Sequence, residues 1–298
     1  LLLLITAIWG WTFPVVKDAV NSYGVIPFLA VRFLIASLLL SFVAMPKMSR
    51  RTVATGAAIG VFLASGYLLQ TFGLRETSAT NCGLITGLFV VFTPMVNRLL
   101  FGVRIRSIFW IAGALSITGL ALLAGVDIGG LKQGDLLTLA AAAAYGLHIS
   151  LLDRHAKQHD AVVLAFGKVT AGTIIFFLAW TIVGPMAWPP ANVWNVLLIT
   201  AVLATAVSFW VQTYAQQRLP AVHAAMIFST EPVFAMLFGY LLAGDRLGPF
   251  QFAGAVVMVA AVALAEVAPS TRAKATDSVE QLKRGMGCKM PACERHAV

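Results

Sequence analysis

Glu231 lies about ten residues into an apolar run and is followed at once by Pro232. Ionisable side chains in such settings are costly to bury and mark function by default. A carboxyl group there suits a site that binds a solute or gains and loses a proton during transport. The alternative is a structural carboxylate tied to a neighbouring helix. Pro232 removes a backbone donor and crowds the preceding turn, so the helix should kink, and carbonyls freed that way can face a cavity. Arg32 and Lys168 each lie about seven residues into a run, about 10 Å deep at 1.5 Å per residue. Either they snorkel to the nearer interface, or they offer a cation to an acidic or zwitterionic solute.

Gln70 and Gln212 occupy related places in two further runs. Amides at such depth tie helices together or line a site, and both roles stay open. Tyr67 shares the face of Gln70, whereas Tyr214 is turned away from that of Gln212. Trp9, Trp11 and Thr12 in the first run are paired in the repeat with Tyr145 and His148 in the sixth. Trp9 is too deep for an interfacial belt, and a histidine such as His148 titrates near neutrality when unperturbed. Asn81 and His223 begin two runs, where they either flank a gate or cap helices. No catalytic residue is expected. There is no G-x-S-x-G, no H-E-x-x-H and no phosphate loop. Cys288, Cys293 and His296 are three candidate ligands without C-x2-C spacing, one short of a closed zinc site. Neither a metal nor a cofactor is called for.

The elements that must hold these residues follow from composition. Hydrophobic residues make up 59% of the 298-residue chain and charged residues 11%. A soluble domain carries about 25% charged residues. With a mean hydropathy of +0.87, the composition argues against a soluble enzyme, a nucleic-acid partner and bulk disorder. The fold class expected is an all-α integral membrane protein. Ten runs have the length of about 20 residues that a bilayer crossing needs: 1–17, 26–45, 53–73, 79–97, 108–125, 134–152, 161–183, 193–214, 221–243 and 249–268. The opening Leu1-Leu2-Leu3-Leu4, without Met or charged leader, reads as a trimmed start.

Gln70-Thr71-Phe72 recurs 142 residues later as Gln212-Thr213-Tyr214, and Arg104 and Arg246 keep that spacing. Trp110-Ile111-Ala112-Gly113-Ala114 resembles Gln251-Phe252-Ala253-Gly254-Ala255. The ten helices therefore read as two five-helix repeats, residues 1–130 and 131–268, with a flexible cytoplasmic tail over 269–298. Five is odd, so the second copy enters from the opposite face, which places a site at mid-depth and permits alternating access. If the start is cytoplasmic, fifteen Lys and Arg fall inside. They are Lys47, Arg50, Arg51, Arg98, Arg104, Arg106, Arg154, Lys157, Arg218 and six in the tail. Only Lys17, Arg75, Lys132 and Arg246 fall outside. That bias predicts both termini in the cytoplasm. The G-x-x-x-G of Gly83 and Gly87 reads as close helix packing.

Trp9-Gly10-Trp11-Thr12-Phe13-Pro14-Val15-Val16-Lys17, Arg32-Phe33-Leu34-Ile35-Ala36 and Glu231-Pro232-Val233-Phe234-Ala235, taken with the repeat, resemble the EamA-type branch of the drug/metabolite transporter superfamily. Leu241 to Leu247 extends the likeness, with Asp245 where Glu is usual, and Lys168 departs from the pattern. The resemblance implies a carrier of small metabolites, often amino acids or related compounds, frequently exporting them across the cell membrane. It covers about residues 1–268. A gradient-driven secondary transporter is thus the expected function, with a membrane-embedded enzyme or a lipid-binding scaffold as alternatives. The expected partners are a small-molecule substrate and the bilayer. A homodimer is open but not required.

Overall fold

The computed structural model describes residues 1–77, 79–124, 132–242 and 248–267. The tail, the junction near residue 130, and Asp245 and Arg246 lie outside the described residues. The described chain is helical without strands. A backbone in hydrocarbon must satisfy its own polar groups, and a helix does so within one segment. The elements are α1 (Leu2–Tyr23), α2 (Val25–Ala44), α3 (Arg50–Glu76), α4 (Ala79–Thr86), α5 (Phe89–Phe101), α6 (Ser107–Ala124), α7 (Gln133–His155) and α8 (Ala161–Val183). There follow α9 (Trp194–Ile199), a π-helical segment (Thr200–Val207), α10 (Ser208–Gln216), α11 (Ala221–Phe228), α12 (Glu231–Leu242) and α13 (Pro249–Val267). Eight stretches are long and apolar enough to cross a bilayer, and Ser107–Leu122 and Pro249–Ala265 are shorter apolar helices.

Three expected runs are interrupted. Residues 79–97 break at the turn 87–88, and residues 221–243 break at 229–230. The second break has a local cause. The Ser229 hydroxyl donates to Met226 O at 2.7 Å and the Thr230 hydroxyl to Ile227 O at 2.7 Å. Hydroxyls bonded to their own backbone compete with helix continuation. Pro232 could not donate to Phe228 O in any case, and falls in the first turn of α12, where a missing N–H costs nothing. In the first break Gly87, a weak helix former, occupies the turn. The run 193–214 contains the π-helical segment. There Thr205 Oγ1 donates to Thr200 O at 3.0 Å and Ser208 Oγ to Leu203 O at 2.7 Å, each five residues back. The first run also extends beyond its expected end. Lys17 and Asp18 continue the helix to Gly24, whose φ of 93° ends it, and the Lys17 ammonium donates to Thr77 O.

α3 packs on α7 and α8, α2 on α8, α6 on α13, α5 on α7 and α1 on α12. Backbones meet closely where glycine removes the side chain. A Cβ on Gly60 would lie 2.5 Å from Lys168 O, and one on Gly10 would lie 2.7 Å from Glu231 O. The Gly83 of the G-x-x-x-G is not such a place, because a Cβ there would meet the Phe13 ring only at 3.7 Å.

The end of the bundle formed by residues 45–52, 156–160 and 217 is tied shut by polar contacts. Lys47 pairs with Asp160 at 3.3 Å, Thr52 Oγ1 meets His159 Nδ1 at 3.0 Å, and Gln217 Nε2 donates to His159 O at 2.9 Å. Partial burial, then the charges of Arg51 and His155, hold the His159 imidazole below its ordinary range. It is therefore neutral at pH 7, and the Thr52 contact is one between uncharged groups.

Gly60→Val should force α3 off α8 and lower unfolding stability in detergent by about 1–3 kcal/mol, the usual cost of overpacking. Gly113→Ala, at a position with nothing within 4 Å of its added Cβ, should lose none. Equal melting midpoints for the two variants would contradict this packing.

Candidate functional site

Seven of the polar residues singled out in the sequence, Arg32, Tyr67, Gln70, Tyr145, His148, Gln212 and Glu231, converge on one cavity with about 720 Å³ of space free of protein atoms, part of it open to the outside. Each wall comes from a different helix. α1 gives Trp9, Thr12 and Phe13; α2 gives Arg32; α3 gives Tyr67, Gln70 and Thr71; α7 gives Tyr145 and His148; α10 gives Phe209 and Gln212. The two mid-run turns supply the rest. Thr86 and Phe89 flank the first, and Phe228 and Glu231 flank the second.

Arg32 is 3% exposed and is held by neutral groups. Its Nε donates to Thr205 Oγ1 at 2.8 Å, its Nη2 to the Tyr67 hydroxyl at 3.4 Å, and its guanidinium lies 5.1 Å from the Tyr67 ring centre. The π-helical segment also holds Trp9, whose Nε1 donates to Ala204 O at 2.9 Å. Single π-type interruptions often accompany functional sites. Here the segment orients both an aromatic wall and a cation.

Glu231 is 7% exposed, and its carboxyl has no hydrogen-bond partner among the described residues. Gln70, by contrast, is fixed at both ends of its amide. Its Nε2 donates to Thr86 Oγ1 at 2.9 Å, and Tyr145 OH donates to its Oε1 at 2.9 Å. His148 Nε2 and Gln212 Oε1 are buried and have no hydrogen-bond partner among the described residues. Edge-on rings close the walls, with Tyr67 5.9 Å from both Tyr145 and Phe209.

Not every singled-out residue reaches the cavity. Pro232 is buried beside it and shapes the turn. Trp11, two residues from Trp9, is half-buried away from the lining. Tyr214 is 43% exposed, with the Arg218 guanidinium 4.0 Å from its ring centre. His223 packs on Phe109 at 4.9 Å. The side chain of Asn81 lies outside the described residues. Lys168 does not snorkel: it is fully buried behind Phe209. Thr86, Phe89, Phe209 and Phe228 were not singled out. Phenylalanines in an apolar run carry no sequence signal. The 142-residue spacing, which relates Thr86 to Phe228 and Phe89 to Glu231, was the one clue available.

A polar chamber walled by several apolar membrane-crossing helices defines a multi-pass membrane protein of the transporter type. The comparisons give the family. Residues 1–125 and 132–266 each match the EamA-like transporter family, and the chain belongs to it, as the motifs in its first, second and ninth runs implied. It is 34% identical over 272 residues to an uncharacterized transporter of Archaeoglobus fulgidus, spanning 88% of this chain and 83% of that protein. It is 25% identical over 268 residues to the uncharacterized inner membrane transporter YedA of Escherichia coli, covering 86% of each. The threonine/homoserine exporter RhtA of Escherichia coli is 27% identical over 176 residues, 57% of this chain and 58% of that one. A solved crystal structure superposes with a TM-score of 0.71 at 16% identity, over 89% of this chain and 94% of that chain, and shares the fold.

Tyr145→Phe should leave Gln70 Oε1 without its donor and cost about 1 kcal/mol of stability. A melting curve in detergent that matches the unsubstituted protein would show that the contact contributes nothing.

Proposed function

We propose that the protein is a gradient-driven carrier of small zwitterionic metabolites, amino acids or close relatives, working by alternating access. One observation carries the reading. Arg32 and Glu231 line the same cavity, yet neither is paired with an opposite charge among the described residues. An uncompensated buried charge is strongly unfavourable, by about 3–5 kcal/mol when one partner of a pair is removed. A solute with a carboxylate and an ammonium supplies both missing partners.

The ten-crossing, twofold-inverted arrangement belongs to this proposal. It is supported by the family matching once in each half and by interruptions 142 residues apart. The packing pairs also exchange under that spacing. α5 on α7 corresponds to α12 on α1, while α2 on α8 and α6 on α13 map onto themselves. The boundaries of the halves, residues 1–130 and 131–268, follow. Relatives named as transporters favour carriage over catalysis. RhtA, named an exporter of threonine and homoserine, favours amino acids and the outward direction. YedA, named an inner membrane transporter, favours the cell membrane.

The polar-tied end, residues 45–52 and 156–160, is assigned to the cytoplasmic side by the excess of Lys and Arg there. A Gln158→Cys variant in intact cells should react with an impermeant maleimide no more than the unsubstituted chain does. Strong labelling from outside reverses the orientation.

The carrier reading is tested in proteoliposomes loaded with a panel of amino acids, with and without an imposed pH gradient. Glu231→Gln should reconstitute normally and lose gradient-driven flux by at least 10-fold. Full flux from this variant removes Glu231 from the mechanism.

A further inference from the structure

Lys168 has no part in the zwitterion account. Its Nζ is fully buried and has no hydrogen-bond partner among the described residues. It lies 5.3 Å from the centre of the Phe209 ring, and that ring lines the cavity. Other unsatisfied groups gather at the same ring. His148, whose Nε2 is unpartnered, stands 6.3 Å from Phe209 centre to centre, and Lys168 interacts electrostatically with it. Gln212 follows Phe209 by one helical turn on the same face and has an unpartnered Oε1. Gln216, a turn further, donates from Nε2 to Ile149 O beside His148 and leaves its own Oε1 unpartnered. Buried polar groups are hydrogen-bonded as a rule, so the two nitrogens at this ring, Lys168 Nζ of α8 and His148 Nε2 of α7, call for an acceptor.

The charges say what it is. Arg32 and Lys168 are two cations, and Glu231 is one carboxyl. Two acidic groups of the surrounding helices are engaged elsewhere: Asp160 with Lys47 and Asp135 with Thr77. Arg32 and Lys168 also sit against different rings of an edge-on pair. Arg32 lies 5.1 Å from the Tyr67 centre, Tyr67 5.9 Å from Phe209, and Lys168 5.3 Å beyond. One carboxylate cannot serve both cations.

We propose that the chamber selects amino acids with an acidic side chain, with Lys168 as the second cationic pole and Phe209 as the ring that turns aside to expose it. The α-carboxylate takes Arg32, the ammonium takes Glu231, and the side-chain carboxylate takes Lys168 with His148 donating from Nε2. A neutral amino acid leaves Lys168 unpaired, and a dicarboxylate without an amine leaves Glu231 unpaired. This inference rests on the carrier reading above.

The experiment is uptake into proteoliposomes of the full chain, comparing aspartate with asparagine and glutamate with glutamine. These pairs match in size and differ by one charge. The unsubstituted protein should prefer the acidic member at least 10-fold. Lys168→Met should reduce that ratio at least 10-fold, and Lys168→Arg should restore part of it. A preference for asparagine and glutamine overturns the inference and leaves the carrier reading standing. A ratio unchanged in Lys168→Met also overturns it. If no amino acid of the wider panel moves, the carrier reading falls and this inference with it. Where Lys168→Met fails to insert, the preference of the unsubstituted protein and the Lys168→Arg variant decide the matter.

Discussion

Charge without a protein partner, held where water is scarce, is the constraint on which this structure turns. Coulomb interactions strengthen as the effective dielectric falls, reaching about 4 kcal/mol for unit charges at 4 Å when it is near 20. A guanidinium and a carboxylate in one cavity would collapse onto each other unless held apart. The fold holds them apart. Arg32 is fixed by Thr205 and the Tyr67 hydroxyl, both neutral, which keep it oriented without cancelling its charge. Glu231 is fixed by the backbone, at the first position of α12, with α1 packed closely against it at Gly10.

Interrupted helices are what make this arrangement affordable in a membrane. A continuous helix offers only side chains to a cavity. Breaking the ninth run at 229–230 sets Glu231 at the chamber, where the Ser229 hydroxyl donates to Met226 O and Ile227 O accepts from both the N–H and the hydroxyl of Thr230. The π-helical segment works in a similar way. Its hydroxyls bond five residues back, while Ala204 O remains available to Trp9. In each case the departure from regular helix is local, satisfied within the chain, and located where a cavity wall needs a specific group.

Much of this was legible in the sequence because the membrane makes polar residues conspicuous. Arg32, Tyr67, Gln70, Tyr145, His148, Gln212 and Glu231 stand out against apolar neighbours, and all seven line the cavity. What sequence neighbourhood could not supply was direction. Trp11 and Tyr214 each lie two residues from a lining residue, roughly 200° around a helix, and they face elsewhere. The turns and the π-helical segment were hidden because Ser, Thr and Gly within an apolar run fit a continuous helix equally well. Only hydroxyl geometry, which is a tertiary outcome, distinguishes the two. Whether Lys168 snorkels or stays buried was open in the sequence for the same reason: depth along a run says nothing about which neighbour covers the end of the side chain.

The proposed repeat supplies the scaffold, and departures from it supply the chemistry. Under the 142-residue spacing Gln70 corresponds to Gln212, yet Gln70 is bonded at both ends of its amide, and Gln212 keeps a free oxygen. Phe89 corresponds to Glu231 and Thr86 to Phe228, so an aromatic and a hydroxyl on one side face a carboxyl and an aromatic on the other. Arg32 and Lys168 lie in corresponding helices but not at corresponding positions, one held by Thr205 and Tyr67, the other against Phe209. A strictly twofold cavity would present the same groups at both poles and could not tell the ends of a solute apart. Divergence at these few positions gives the two sides of the chamber different groups while the packing of α2 on α8 and of α6 on α13 stays paired under the repeat.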